Sequence, residues 1–144
     1  MRKLGVVLLA GLAGSVVLGS SPRAGAADDG GASPVTVKMS CEPVDGPGRV
    51  RCEVEARVPS GTTIAWGDVV LLKTPDFVGA LRGRIGPRDA VVHDPDLWRW
   101  ALALVARQKG SGDVQARVRL VLCRADGACA PREASVTGHV VAGE

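Results

Sequence analysis

From Val50 to Val58 every second residue is apolar: Val50, Cys52, Val54, Ala56 and Val58 alternate with Arg51, Glu53, Glu55 and Arg57. A period of two is the side-chain repeat of a strand, which sends successive residues to opposite faces. The segment is therefore predicted as a half-buried strand, with the apolar set facing inward and the charged set facing water. The same alternation returns over Val114–Leu122 (VQARVRLVL) and, more briefly, over Val35–Cys41. Between the Val35–Cys41 and Val50–Val58 segments lies Pro43–Gly48 (PVDGPG), a dense cluster of turn formers. These segments are expected to form a hairpin whose loop is flanked by Cys41 and Cys52.

Further strands are expected from shorter apolar runs. Ile64–Trp66 and Val69–Leu72 form one stretch, interrupted at Gly67-Asp68 and closed by Lys73–Asp76. Ala80–Ile85 is read as a short strand and residues 135–141 as the last one. Leu97–Gln108 carries signals of both kinds. Asp94-Pro95-Asp96 and Gly110 suit a helix start and stop, and Ala and Leu favour helix. Against that, Trp98, Trp100, Leu102 and Leu104 alternate, and the glycine-rich Lys109–Asp113 leads straight into the next strand, as in a hairpin. The strand reading is preferred. Trp66, Trp98 and Trp100 are expected in the core, because Phe77 is the one other aromatic residue. Six or seven short strands at regular intervals predict an all-β fold: a single antiparallel, immunoglobulin-like β-sandwich of about seven strands.

The chain opens with Arg2 and Lys3, an apolar run to Leu18, and a small-residue stretch ending Ala24-Gly25-Ala26. These are the three parts of a secretory signal peptide. A membrane anchor is the competing reading, but a spanning helix needs about 20 apolar residues and this run is shorter. Residues 1–26 are accordingly read as a cleaved signal, 27–34 as a flexible leader and 35–144 as the domain. No membrane insertion is expected after cleavage, and the address is periplasmic or secreted. The charge balance follows. Of the 18 Lys+Arg, Arg2, Lys3 and Arg23 lie in the signal, which leaves 15 against 15 Asp+Glu. A nucleic-acid binder would retain a basic excess for phosphate contacts, so no nucleic-acid partner is expected.

Four cysteines in an exported chain read as two disulfides. Three pairings are possible, and the nearest-neighbour scheme, Cys41–Cys52 and Cys123–Cys129, is the one expected. A zinc site would want two close C-x-x-C-like pairs, which neither spacing supplies, so no metal and no cofactor are expected. Enzyme motifs are scarce. His93 and His139 lie outside any metal or nucleophile motif and are read as loop or strand-surface residues. Arg82-Gly83-Arg84 reads as a solvated turn or edge more simply than as an anion site.

Cys123–Pro131 (CRADGACAP) is the stretch with chemical content. Two cysteines five residues apart, with Asp126-Gly127 between them, can close a small ring at the exit of a strand. In an exposed loop such a bond is open to attack by another protein's thiolate. A strand ending in C-x5-C, followed closely by proline, resembles the N-terminal periplasmic domain of the thiol:disulfide interchange protein DsbD. Asp76-Phe77-Val78-Gly79 is similar to that family's cap loop. The resemblance implies an immunoglobulin-like fold, Cys123 and Cys129 as the redox pair, and a cap of Asp76, Phe77 and Gly79 in which Phe77 shields the bond. It further implies a thioredoxin-like oxidoreductase as partner. Ala130 and Arg132 stand where the family carries an aromatic residue and a second proline, and Cys41 and Cys52 have no counterpart in the pattern. Two functions are therefore carried forward. The preferred one is a non-catalytic binding or structural module of the envelope, held by two static disulfides and acting on an envelope protein not yet identified. The alternative is a thiol–disulfide exchange module using Cys123 and Cys129.

Overall fold

The computed structural model describes residues 35–143; the signal peptide and leader expected over 1–34 lie outside the described residues. Nine strands run in the order β1 (Thr36–Cys41), β2 (Gly48–Arg57), β3 (Thr62–Lys73), β4 (Val78–Ala80), β5 (Arg84–Ile85), β6 (Ala90–His93), β7 (Leu97–Ala106), β8 (Gly110–Arg124) and β9 (Cys129–Ala142). They form two antiparallel sheets. The first has the order β1-β2-β7-β4, with β6 also on β7; the second has the order β5-β3-β8-β9. Matched to the A-B-E-D and G-F-C lettering of immunoglobulin domains, this is the same strand order, with β5 added beyond the C-type strand β3. The expected immunoglobulin-like sandwich is what the chain forms.

The alternating segments lie where their period places them. Val50, Cys52, Val54 and Ala56 of β2 face Val114, Ala116, Val118 and Leu120 of β8 across the core, and all are buried. Leu97–Ala106 is a strand with β2 on one side and β4 and β6 on the other. Its alternation prevails over its helix propensity for a geometric reason. A strand puts Trp98, Trp100, Leu102 and Leu104 on one face, all buried here, whereas a helix would scatter them around its axis. Trp100 reaches across to the second sheet at Gly67. A Cβ on Gly67 would stand 2.9 Å from Leu120 Cδ2 and 3.0 Å from Trp100 Cζ2, so the two sheets meet there over bare backbone.

Two expectations are corrected. The single strand at Ala80–Ile85 is two short pieces, β4 in the first sheet and β5 in the second, so the strand count exceeds seven. Trp66 is half-buried on the outer face of the second sheet, not in the core. The cause is a register shift between Ile64 and Trp66. One extra residue turns the following side chains to the opposite face, so Gly67 and Val69 point inward while Trp66 and Asp68 point outward.

Candidate functional site

Both expected disulfides are present, Cys41–Cys52 and Cys123–Cys129. The second closes the tip of the long β8–β9 hairpin, where Cys123 and Cys129 are direct cross-strand partners. The turn between them is built by local hydrogen bonds. Gly127 N–H donates to Arg124 O at 2.9 Å and Arg124 N–H to Ala128 O at 2.8 Å. Asp126 Oδ1 accepts the Ala128 N–H at 2.9 Å. Gly127 has φ +87°, the left-handed conformation that closes such a three-residue hairpin loop. The Ala128 N–H holds the Asp126 carboxyl below the usual range, against an opposing desolvation and with Arg124 adding to the lowering. Cys123 belongs to the outward set of β8, between buried Leu122 and exposed Arg124, and Cys129 is exposed. The bond therefore lies on the solvent side of the sheet.

The cap expected of Asp76, Phe77 and Gly79 is elsewhere, which is a correction. Phe77 is buried and packs against Gly110, where an added Cβ would meet its ring at 3.0 Å. Its carbonyl accepts from Arg107 N–H at 2.8 Å. Gly110 begins β8 and Cys123 lies near its far end, roughly 40 Å away at about 3.3 Å per residue. Phe77 thus seals the β7–β8 turn and has no access to the Cys123–Cys129 bond. Asp76 is exposed, and Gly79 lies against the Arg107 guanidinium. The histidines are surface residues as expected. His93 sits edge-on to Trp98 with ring centroids 3.8 Å apart, and His139 Nδ1 lies 2.8 Å from Asp113 Oδ1. Among the described residues no group of three or more His, Cys, Asp or Glu is arranged to hold a metal ion.

The site that residue reading missed is on the outer face of the second sheet, beside the hairpin tip. Successive outward rows cross the sheet as Thr63–Cys123–Cys129, Trp66–Val121–Pro131 and Asp68–Arg119–Glu133, followed by Arg84–Val70–Arg117–Ser135. Asp68 is fully buried although it belongs to this outer set. Two guanidinium groups cover it. Arg119 Nε donates to Asp68 Oδ1 at 2.8 Å and its Nη2 to Oδ2, while Arg84 Nε donates to Oδ2 at 2.7 Å. Burial pushes the Asp68 carboxyl up, but the hydrogen bonds and charges of Arg119 and Arg84 outweigh it and leave the group below the usual carboxylate range. Arg119 also lies 6.0 Å above the Trp66 ring, within cation–π reach. Gly67-Asp68 interrupts an apolar run, and a charge there was the available signal. Its partners come from β5 and β8, too remote in sequence for spacing to disclose.

No family model matches the sequence, and no curated protein matches it. Solved structures give weak likenesses. A form of BcpA, the major pilin subunit of Bacillus cereus, aligns with TM-score 0.42 and 6% identity, covering 76% of this chain and 40% of the pilin chain. The chain thus spans two-fifths of that pilin. The ASH/PapD-like domain 7 of human CEP192 aligns with TM-score 0.39 and 7% identity, covering 78% of this chain and 88% of that domain. The bacterial hydrophobin BslA aligns with TM-score 0.35 and 7% identity, covering 78% of this chain and 96% of the hydrophobin.

Proposed function

We propose that the chain is an exported, non-catalytic binding or structural module in which both disulfides act as braces. The observation that carries this reading is the environment of the Cys123–Cys129 bond. A bond used for exchange is favoured by a thiol of lowered pKa, set by a neighbouring lysine, arginine, protonated histidine or helix N-terminus. The one cation adjacent in the chain, Arg124, is hydrogen-bonded to Asp126 at 3.0 Å. The aromatic cap implied by the resemblance to DsbD belongs to the other end of the sheet. Among the described residues no helix is long and apolar enough to cross a membrane. Together with the expected signal peptide and two disulfides, this supports a periplasmic or secreted address.

One observation favours thiol–disulfide exchange as the second reading: the bond faces solvent and Cys129 is exposed. An incoming thiolate of a thioredoxin-like partner would attack Cys129 Sγ, form a mixed disulfide and release the Cys123 thiolate.

The two readings separate on one measurement, the reduction potential of Cys123–Cys129 in the mature protein. It is obtained by equilibration in glutathione buffers with mass-spectrometric thiol counting. The brace reading expects a value below about −300 mV. A value between roughly −120 and −230 mV, the range of known exchange proteins, would replace it with the redox reading.

A further inference from the structure

We infer that the outer face of the second sheet is a docking site for an extended acidic protein segment, with Arg84 as its carboxylate receptor and Trp66, Val121 and Pro131 as its apolar contact. The inference deepens the binding reading and rests on it.

The argument begins with Asp68. A carboxylate buried at 0% exposure is costly unless it is paired and hydrogen-bonded. Here two guanidiniums share one carboxylate. Glu133, the row's other carboxylate, stands at the β9 end beside Arg119 and 4.0 Å from Arg117 Nε, so the positive charge left facing solvent is concentrated on the Arg84 side. The geometry of that charge is fixed. Asp68 binds Arg84 through Nε alone, while Nη1 and Nη2 have no partner among the described residues. The Arg84 side chain is 60% exposed. A guanidinium anchored at Nε, with two parallel N–H groups facing solvent, is already oriented to receive a planar carboxylate through a bidentate pair. Because the anchor is buried, little of the arginine's conformational freedom remains to be lost on binding.

The first sheet's outer face differs in arrangement. There Glu53 and Glu55 stand at the surface among the arginines that pair with them. Arg51 reaches Glu53 at 3.0 Å, and Arg99 reaches Glu55 at 2.8 Å. A partner meeting that face meets both signs. On the second face Asp68 is hidden beneath its arginines, and the exposed Glu133 is confined to the β9 end of the row, away from Arg84.

The neighbouring row selects an extended peptide. Trp66, Val121 and Pro131 lie side by side across three strands, one row from Asp68 and Arg119. Adjacent outward rows are two residues apart, about 6.6 Å. That is also the separation of side chains i and i+2 in an extended chain laid along β8. The matching segment carries an apolar side chain over Trp66 and Val121, with Asp or Glu two positions on, over the Asp68 row. Arg84 starts one row further along, but its guanidinium reaches back into that row at Asp68. Glu133 lies at the β9 end of the arginine row and is exposed. It repels a carboxylate there and directs the segment to the β3–β5 side, where Arg84 stands.

The test is fluorescence polarisation on the mature protein. The probe is a fluorescein-labelled heptapeptide of serine and threonine carrying one leucine and, two residues later, one glutamate. We expect saturable binding that weakens with salt and falls roughly tenfold when glutamine replaces the glutamate, the loss of one charge-assisted pair. Arg84→Gln and Val121→Glu should each weaken it to a similar degree or more, whereas Arg51→Gln on the other sheet should leave it unchanged. Arg119 still covers Asp68 in the Arg84 variant, and a thermal melt of each variant verifies that it is folded. Absence of peptide binding, equal affinity for the glutamine peptide, or indifference to Arg84→Gln in a folded variant overturns the inference. An Arg84-dependent affinity for oligogalacturonate in place of the peptide overturns the assignment to a protein segment. The disulfide potential is measured separately. Lack of binding with a deeply reducing bond removes this site and keeps the brace reading, while binding with an easily reduced bond does the reverse.

Discussion

The two disulfides are built alike and placed oppositely. Each joins directly opposed residues of adjacent antiparallel strands, with Cα atoms 4.0 Å apart in both. Each stands next to a hydrogen-bonded pair: Glu42 N–H to Arg51 O at 2.9 Å, and Arg124 N–H to Ala128 O at 2.8 Å. The cysteines thus occupy the closely spaced, non-hydrogen-bonded positions of their ladders. What separates them is parity. Cys52 shares the inward set of β2 with Val50 and Val54 and is 0% exposed. Its partner Cys41 packs beside β9, where a Cβ on Gly138 would come within 3.2 Å of the Cys41 sulfur. Cys123 falls on the outward set of β8. The lesson is that the face of the sheet, more than the covalent geometry, decides whether such a bond is part of the core or open to chemistry.

The comparison is sharpened first by removing the inner bond. Cys41→Ala/Cys52→Ala should cost about 3–5 kcal/mol in urea unfolding, combining loss of the cross-link with loss of buried sulfur contacts. Next, Asp68→Asn leaves two guanidiniums without their shared anion and should cost about 2–4 kcal/mol at pH 7. The Asp68 carboxyl lies below its unfolded value, so its contribution is complete above pH ~4 and is lost as pH falls through the folded value. The stability curves of Asp68→Asn and the parent should therefore converge on acidification below pH ~4; parallel curves would refute the ion-pair assignment. Removing the outer bond by Cys123→Ala/Cys129→Ala should cost about 2 kcal/mol. Loop-closure entropy alone separates the two bonds by only about 0.5 kcal/mol, so a larger gap measures burial, and equal losses would break the comparison. The smallest effect is expected for Asp126→Ala. It should leave the unfolding midpoint near that of the parent while the outer bond is reduced faster by dithiothreitol, because the Ala128 N–H loses its acceptor at the exposed tip.

Much of the fold is legible along single strands. The inward sets of β2 and β8 can be read directly from their apolar alternation, and the same rule identifies β7 against its own helix propensity. The hairpin cysteines are legible too, since a short loop limits which partner each can reach. Reading failed where one inserted residue or a distant partner intervened. The bulge before Trp66 reverses its face, and Ala80–Ile85 divides between sheets, β4 pairing with β7 and β5 with β3, strands remote from it in sequence. Phe77 resembles a cap in its local sequence, but its neighbours are set by the β7–β8 turn.

By itself, then, the sequence determined the strand periodicity and the sandwich class, and made the nearest-neighbour cysteine pairing the expected one of three. Strand periodicity rests on the alternation of adjacent residues, where chain geometry is nearly invariant. Only the tertiary structure decided that Asp68 lies beneath Arg84 and Arg119, that Trp66 borders them, and that Phe77 lies far from Cys123. It also decided that β2 and β8, the strands joined by the inter-sheet disulfide of antibody domains, are not cross-linked here. Cys52 points into the core and Cys123 points away from it, so the two sulfurs cannot meet. Such relations depend on which strands become neighbours and which face each residue takes, and those are fixed only when the two sheets close over a shared core.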